Sequence, residues 1–159
     1  YEGGFRVPCV VRWPGKIAAG SVSDRVTGFE DWLPTLADLA EFSDQQPSDL
    51  DGLSFAPTLR GEKQEPRPFL YRESPGYGGQ QAVRVGDWKA IRRQLNPGPK
   101  AKNQSPGALE LYDLASDPAE TNDVASANPE VVARLQAIID REHVPSKLFP
   151  LRAIDGAKN

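Results

Sequence analysis

A chain of 159 residues, 38% hydrophobic and with a formal net charge of −3, has the size and apolar content of one compact domain, with or without an arm from a neighbour. A pI near 5.2 argues against general nucleic-acid binding. The single cysteine rules out an internal disulfide, and no apolar stretch reaches the ~18 residues of a membrane-spanning helix.

Charge is unevenly distributed along the chain. Residues 30–59 carry seven acids and no base, 60–104 ten bases and four acids, and 105–142 eight acids and two bases. Two readings stand: the blocks neutralise one another in the fold, or the basic block faces an anionic ligand. The chain begins at Tyr1 and contains no methionine, so it reads as a piece of a longer polypeptide. No signal peptide is visible.

Val7-Pro8-Cys9-Val10-Val11-Arg12-Trp13 predicts a strand with apolar residues on both faces and Cys9 as a small buried hydrophobe. Pro14-Gly15 ends it. Residues 31–42 predict a helix with Asp31 as its cap, Pro34 in the first turn, and a stripe of Trp32, Leu33, Leu36, Leu39 and Ala40. A helical turn or two over 54–60 ends at Gly61.

From position 68 the pattern changes to strands. Phe69, Leu70 and Tyr71 form the first, and 81–85 with 88–94 form a hairpin about Gly86-Asp87. That register pairs Val85 with Trp88, Val83 with Ala90, Ala82 with Ile91 and Arg84 with Lys89. Two opposed cations need an acid beside them, for which Glu73 or Glu110 on a neighbouring strand would serve. Residues 96–107 read as a loop and 109–114 as another strand. Asp117-Pro118 turns the chain. Asn128-Pro129-Glu130 starts a helix, with Asn128 as its cap and the stripe Val131, Val132, Leu135, Ile138 and Ile139. The fold class is α+β: a small antiparallel sheet with a C-terminal helix packed on it, preceded by a strand and helix of another layer.

Chemistry-bearing groups are sparse. His143, the only histidine, reads as a surface or helix-terminus residue. No Cys/His cluster has metal-ligand spacing. Asp44, Asp49 and Asp51 lack the spacing of a calcium loop, and the serines have no partner for a triad. No catalytic or metal-binding residue is therefore assigned.

Several segments, taken in order, resemble the sulfatases, arylsulfatase-like members of the alkaline phosphatase superfamily. They are Tyr1-Glu2-Gly3-Gly4-Phe5-Arg6-Val7-Pro8, then Arg12-Trp13-Pro14-Gly15-Lys16-Ile17, then Asp31 with Pro34-Thr35-Leu36 and Leu39-Ala40. Asp51-Gly52 with Leu59-Arg60-Gly61 follows, then Ala82-Val83-Arg84-Val85-Gly86-Asp87-Trp88-Lys89. The last is Glu110-Leu111-Tyr112-Asp113-Leu114 with Asp117-Pro118 and Glu120 through Asn122. The resemblance covers about residues 1–140. It implies that 1–61 are the tail end of an α/β catalytic domain with its connector, 62–144 the C-terminal subdomain, and 145–159 an irregular tail.

Sulfatases hydrolyse sulfate esters with a formylglycine made in a Cys/Ser-x-Pro-x-Arg motif and with a calcium ion. Cys9 is followed by Val-Val-Arg and does not match. The family's calcium-binding segments, its sulfate-binding lysine and its catalytic histidines are absent from this stretch. The resemblance thus implies an inactive piece whose parent carries calcium and formylglycine, acts on a sulfate ester, and is periplasmic or secreted. Its N-terminal catalytic domain would be this chain's partner, with no nucleic acid or membrane involved.

The loop Glu73–Gln81 is the candidate edge of a substrate pocket, with Tyr77 and Gln80 near its tip and Arg84 at its exit. Tyrosine offers a stacking face and arginine an anion partner. The competing reading, and the plainer one, is a packed Tyr77 and an Arg84 paired with a carboxylate. Two alternatives remain beside the sulfatase piece: a self-standing module for sulfated or anionic sugars, and a piece of a related phosphodiesterase or phosphonate hydrolase. Residues 7–13, apolar on both faces, are expected to self-associate when left uncovered.

Overall fold

The computed structural model describes residues 1–98 and 105–156. They form two compact units: Tyr1–Arg6 together with the chain from Tyr71 on, and Val7–Leu70.

The first unit is built on a sheet in the order β1 (Leu70–Ser74), β2 (Gln80–Val85), β3 (Trp88–Arg93), β4 (Glu110–Asp113). The β2–β3 hairpin has the expected register, including Arg84 opposite Lys89 and Val83 opposite Ala90. Its two-residue turn places Gly86 at φ 57°. Of Gly86 and Asp87 only the glycine carries a positive φ, the pattern of a II′ turn, which matches the strand twist. β4 runs antiparallel to β3, with Leu111 beside Ala90 and Tyr112 beside Lys89.

Strand alternation puts Val83, Ala90 and Leu111 on one face, where all three are fully buried. Helix α4 (Pro129–Glu142) covers that face with Leu135 and Ile139, and Arg92 from the same face bonds Gln136. Pro129 opens the helix as the sequence predicts, but Asn128 makes no side-chain cap; its amide donates instead to the Val124 carbonyl at 2.9 Å. Asp117 accepts the Thr121 and Asn122 amides, each at 2.8 Å, fixing the turn at Pro118. The opposite face holds Ala82, Ile91, Tyr112 and, beside them, Leu114.

The tail after Val144 is less irregular than its sequence suggests. A single turn, α5 (Arg152–Asp155), returns to the sheet: Leu151 is buried, and the Ala153 amide donates to the Leu95 carbonyl at 2.9 Å. Residues 99–104 of the expected loop at 96–107 lie outside the described residues; the remainder is irregular.

In the second unit, α2 (Trp32–Leu39) and α3 (Ala56–Leu59) pack together, with the Trp32 and Phe55 rings edge to face at 4.9 Å. Gly61, at φ 77°, follows α3 as expected. Asp31 is not the expected side-chain cap. Its buried carboxylate pairs with Arg67 and accepts the Gly28 and Leu53 amides, because a buried charge must be both paired and hydrogen-bonded. The helix buries Pro34 and Thr35 rather than the predicted stripe. Leu33 and Leu36 are each 55% exposed.

The expected strand at 7–13 is not formed. The segment is irregular, Val7 and Val10 are exposed, and Cys9 is an exposed free thiol rather than a buried hydrophobe. No described strand lies alongside to supply hydrogen bonds, without which a strand has no partner for its amides.

Candidate functional site

The most elaborate polar constellation in the first unit surrounds Lys89. This lysine stands on β3, is 3% exposed, and lies 2.9 Å from both Glu2 and Glu120. Glu2 belongs to α1 (Glu2–Phe5), a single helical turn. Its other oxygen takes Arg84 at 3.3 Å and Arg6 at 3.4 Å, while its amide donates to Glu120. The Phe5 ring lies 5.0 Å from the ammonium, a cation–π contact. The acid that opposed Arg84 and Lys89 demanded is therefore not Glu73 or Glu110. Glu110 instead accepts from Arg93, Tyr112 and Tyr1.

Glu73 belongs to a second network. Its Oε1 accepts from Tyr71 and from Gln81, and faces His143 Nδ1 at 2.6 Å. The other ring nitrogen of His143 faces Asp155 at 2.7 Å. Burial lowers the pKa of His143, but the hydrogen bonds and charges of Glu73 and Asp155 outweigh it, so the net shift is upward. Burial and the adjacent Glu73 push Tyr71 strongly up, keeping it a neutral donor. Tyr112 is likewise raised by burial and by Glu110.

The three pocket candidates take different positions. Gln80 lines a shallow cavity, open to solvent, together with Tyr1, Phe5, Arg72, Ser74 and Ala82. Tyr77 sits at the loop tip with a positive φ of 51° and is 96% exposed. Arg84 is engaged by Glu2 and by the Gly86 carbonyl. Neither Tyr77 nor Arg84 lines the cavity. The loop is anchored from below: the Leu95 and Asn96 amides donate to the Gly79 and Gly78 carbonyls. Sequence reasoning missed the Glu2–Lys89–Glu120 cluster because its acids lie 87 and 31 positions from Lys89. The signal that pointed to it was the unfavourable pairing of Lys89 with Arg84.

Among the described residues no three His, Cys, Asp or Glu side chains converge to hold a metal. Cys9 stands in the exposed segment Cys9-Val10-Val11-Arg12, without the proline that a formylglycine motif requires. The described residues do not fit either calcium or a formylglycine.

A family model described as N-sulphoglucosamine sulphohydrolase, C-terminal, matches residues 1–144. This chain belongs to that sulfatase C-terminal family. It is 35% identical over 156 residues to human arylsulfatase A, covering 87% of this chain and 30% of that protein. Among solved structures it is similar to BT1596, a 2-O GAG sulfatase, with a TM-score of 0.55 at 32% identity, covering 70% of this chain and 23% of the other. BT4656, solved with its substrate D-glucosamine-2-N,6-O-disulfate, gives a TM-score of 0.65 at 25% identity, covering 82% of this chain and 26% of the other. The α+β class read from the sequence agrees with these sulfatase folds. The chain spans 25–30% of the length of the first curated relatives it matches.

Proposed function

We propose that this chain is the C-terminal part of a sulfuric ester hydrolase, where it builds one side of the protein and edges the substrate pocket without supplying the reacting groups. The family match over residues 1–144 carries the reading. Two surfaces support a role as one part of a larger body. Residues 7–13 hold exposed Val7 and Val10, and α2 exposes Leu33 and Leu36 beside Phe29 at 81%. Apolar groups on this scale call for cover, and the remaining 70–75% of a sulfatase polypeptide would provide it.

Calcium and formylglycine would be held by residues of the whole protein outside this stretch. Within the stretch, the loop bearing Tyr77 would meet the substrate together with Gln80, which is the first residue of β2 rather than part of that loop. Gln80 is the better placed of the two for hydrogen bonding, whereas Arg84 is committed to Glu2 and would hold α1 in position. The whole protein is proposed to be exported, which fractionation of the producing cells would test.

The deciding experiment compares hydrolysis of an aryl sulfate, with calcium present, by the 159-residue chain and by the whole protein matured to formylglycine. Activity confined to the whole protein is the expected result. Turnover by the 159-residue chain alone would overturn the assignment of the reacting groups. Failure of the whole protein on every sulfate ester while it cleaves a phosphodiester would move the parent to a related hydrolase.

A further inference from the structure

We infer that His143 is a pH-operated clasp whose imidazolium form ties the turn α5 to the edge strand β1. Nδ1 lies 2.6 Å from Glu73 Oε1 and Nε2 lies 2.7 Å from Asp155 Oδ1. A neutral imidazole has one N–H and one lone pair. It can donate to one of these carboxylates but must turn its lone pair on the other, at a distance where two acceptors repel. Only the imidazolium donates to both at once, and charge-assisted bonds of this length are the strong kind.

The surroundings favour the charged form. From β1 the ring meets Glu73, which is itself held by Tyr71 and by Gln81 of β2. From α5 it meets Asp155, whose side chain is 7% exposed. Its helix neighbour Glu142 adds a further negative charge near Tyr71 and is bonded by Arg141. Arg72, the nearest cation along β1, donates to the Tyr71 carbonyl. His143 is also the C-terminal cap residue of α4, where the helix dipole stabilises a cation.

Opening would fall on the Asp155 side. Glu73 sits in a strand and keeps two other donors, whereas α5 is a single turn. Asp155 also accepts the Leu151 amide at 2.7 Å, so its release loosens the segment that buries Leu151. The Arg152 amide donates to Asn96, whose own amide supports the Tyr77 loop through Gly78. Clasp and loop therefore share one support. The sign follows from the raised pKa: the tie is complete at and below the ordinary histidine value of 6.5 and is lost as pH rises through the higher folded value.

The test uses the whole protein. Hydrogen exchange is followed by mass spectrometry at a series of pH values, as protection factors corrected for intrinsic exchange. Histidine ring NMR gives the His143 midpoint, assigned by its loss in His143→Gln. Protection over 151–155 is expected to fall several-fold across that midpoint while 135–139 stay unchanged. The midpoint should lie above 6.5 and move down in Asp155→Asn, and His143→Gln should abolish the step. Flat protection over 151–155 across the midpoint, or a midpoint unmoved in Asp155→Asn, overturns the clasp. Should His143→Gln fail to fold, the Asp155→Asn shift and the wild-type protection profile decide the question.

Discussion

Arg84 and Lys89 stand directly opposite each other in the β2–β3 hairpin, and both turn to Glu2, at 3.3 and 2.9 Å. Opposed like charges destabilise a sheet, so the pairing holds only because Glu2 and Glu120 lie over it. Lys89 is the central member, since it alone reaches both acids and is 3% exposed. Replacing it with methionine leaves two carboxylates short of their counter-charge.

Lys89→Met is therefore expected to destabilise the whole protein by about 3–5 kcal/mol, the cost of breaking a buried pair from one side. Arg84→Met, at a more exposed position with a second partner in the Gly86 carbonyl, should cost clearly less. Urea midpoints at constant slope read both values. Adding Glu120→Gln to Lys89→Met should recover part of the loss. A Lys89→Met protein as stable as the wild type would mean that α1 is not held through this lysine.

Glycine geometry supplies a contrast between two loops. Gly79 has φ 77°, and a Cβ there would lie 2.5 Å from the Asn96 amide nitrogen and 2.8 Å from the Leu95 carbonyl carbon. Gly86 has φ 57° but open space around it. Gly86→Ala should cost about 1 kcal/mol from the left-handed backbone alone. Gly79→Ala must also push the loop off Leu95 and Asn96, just after β3, and should cost well over 2 kcal/mol on the scale of core overpacking. Equal unfolding midpoints for the two variants would contradict the close approach.

How far the sequence reached follows from where each contact comes from. The β2–β3 register, the Asp117 turn and the start of α4 are written in neighbouring residues, through Gly86-Asp87, Pro118 and Pro129, and all three appear as read except that Asn128 does not cap α4. Partners distant in sequence were not legible. The Glu2–Lys89–Glu120 cluster joins the chain's first turn to a loop after β4, and Asp31 is claimed by Arg67 rather than by its own helix. His143 shows nothing in its local sequence of Glu73 or Asp155. The 7–13 strand failed for a different reason. Its apolar pattern states what it would bury, but in this chain no described strand lies beside it.

Asp117 gives a prediction at acid pH. Its carboxylate is held below the usual range, chiefly by the Asn122 amide and then by Thr121. A depressed folded pKa contributes stability above the unfolded value near 3.8, and the contribution is lost as pH falls through the folded value. Asp117→Asn should therefore be less stable than the wild type at neutral pH, with the two converging near pH 2. Paired thermal scans from pH 7 to pH 2 check this. A constant difference across the range would assign the effect to packing rather than charge.

The uncovered apolar surface gives the last prediction. Leu36 is 55% exposed in this chain, beside Leu33 and Phe29, and Val7 and Val10 project from an unpaired segment. In the whole protein these groups should be covered, and residues 7–13 should gain the strand hydrogen bonds that their apolar pattern calls for. Amide exchange over 7–13 is expected to be slow in the whole protein, and Leu36→Asp should destabilise it by about 2–4 kcal/mol, since an unpaired charge would be buried. The 159-residue chain alone should expose the same surface and self-associate in sedimentation, with Leu36→Asp reducing the association. Fast exchange over 7–13 in the whole protein, together with a neutral Leu36→Asp, would mean that the rest of the polypeptide packs elsewhere.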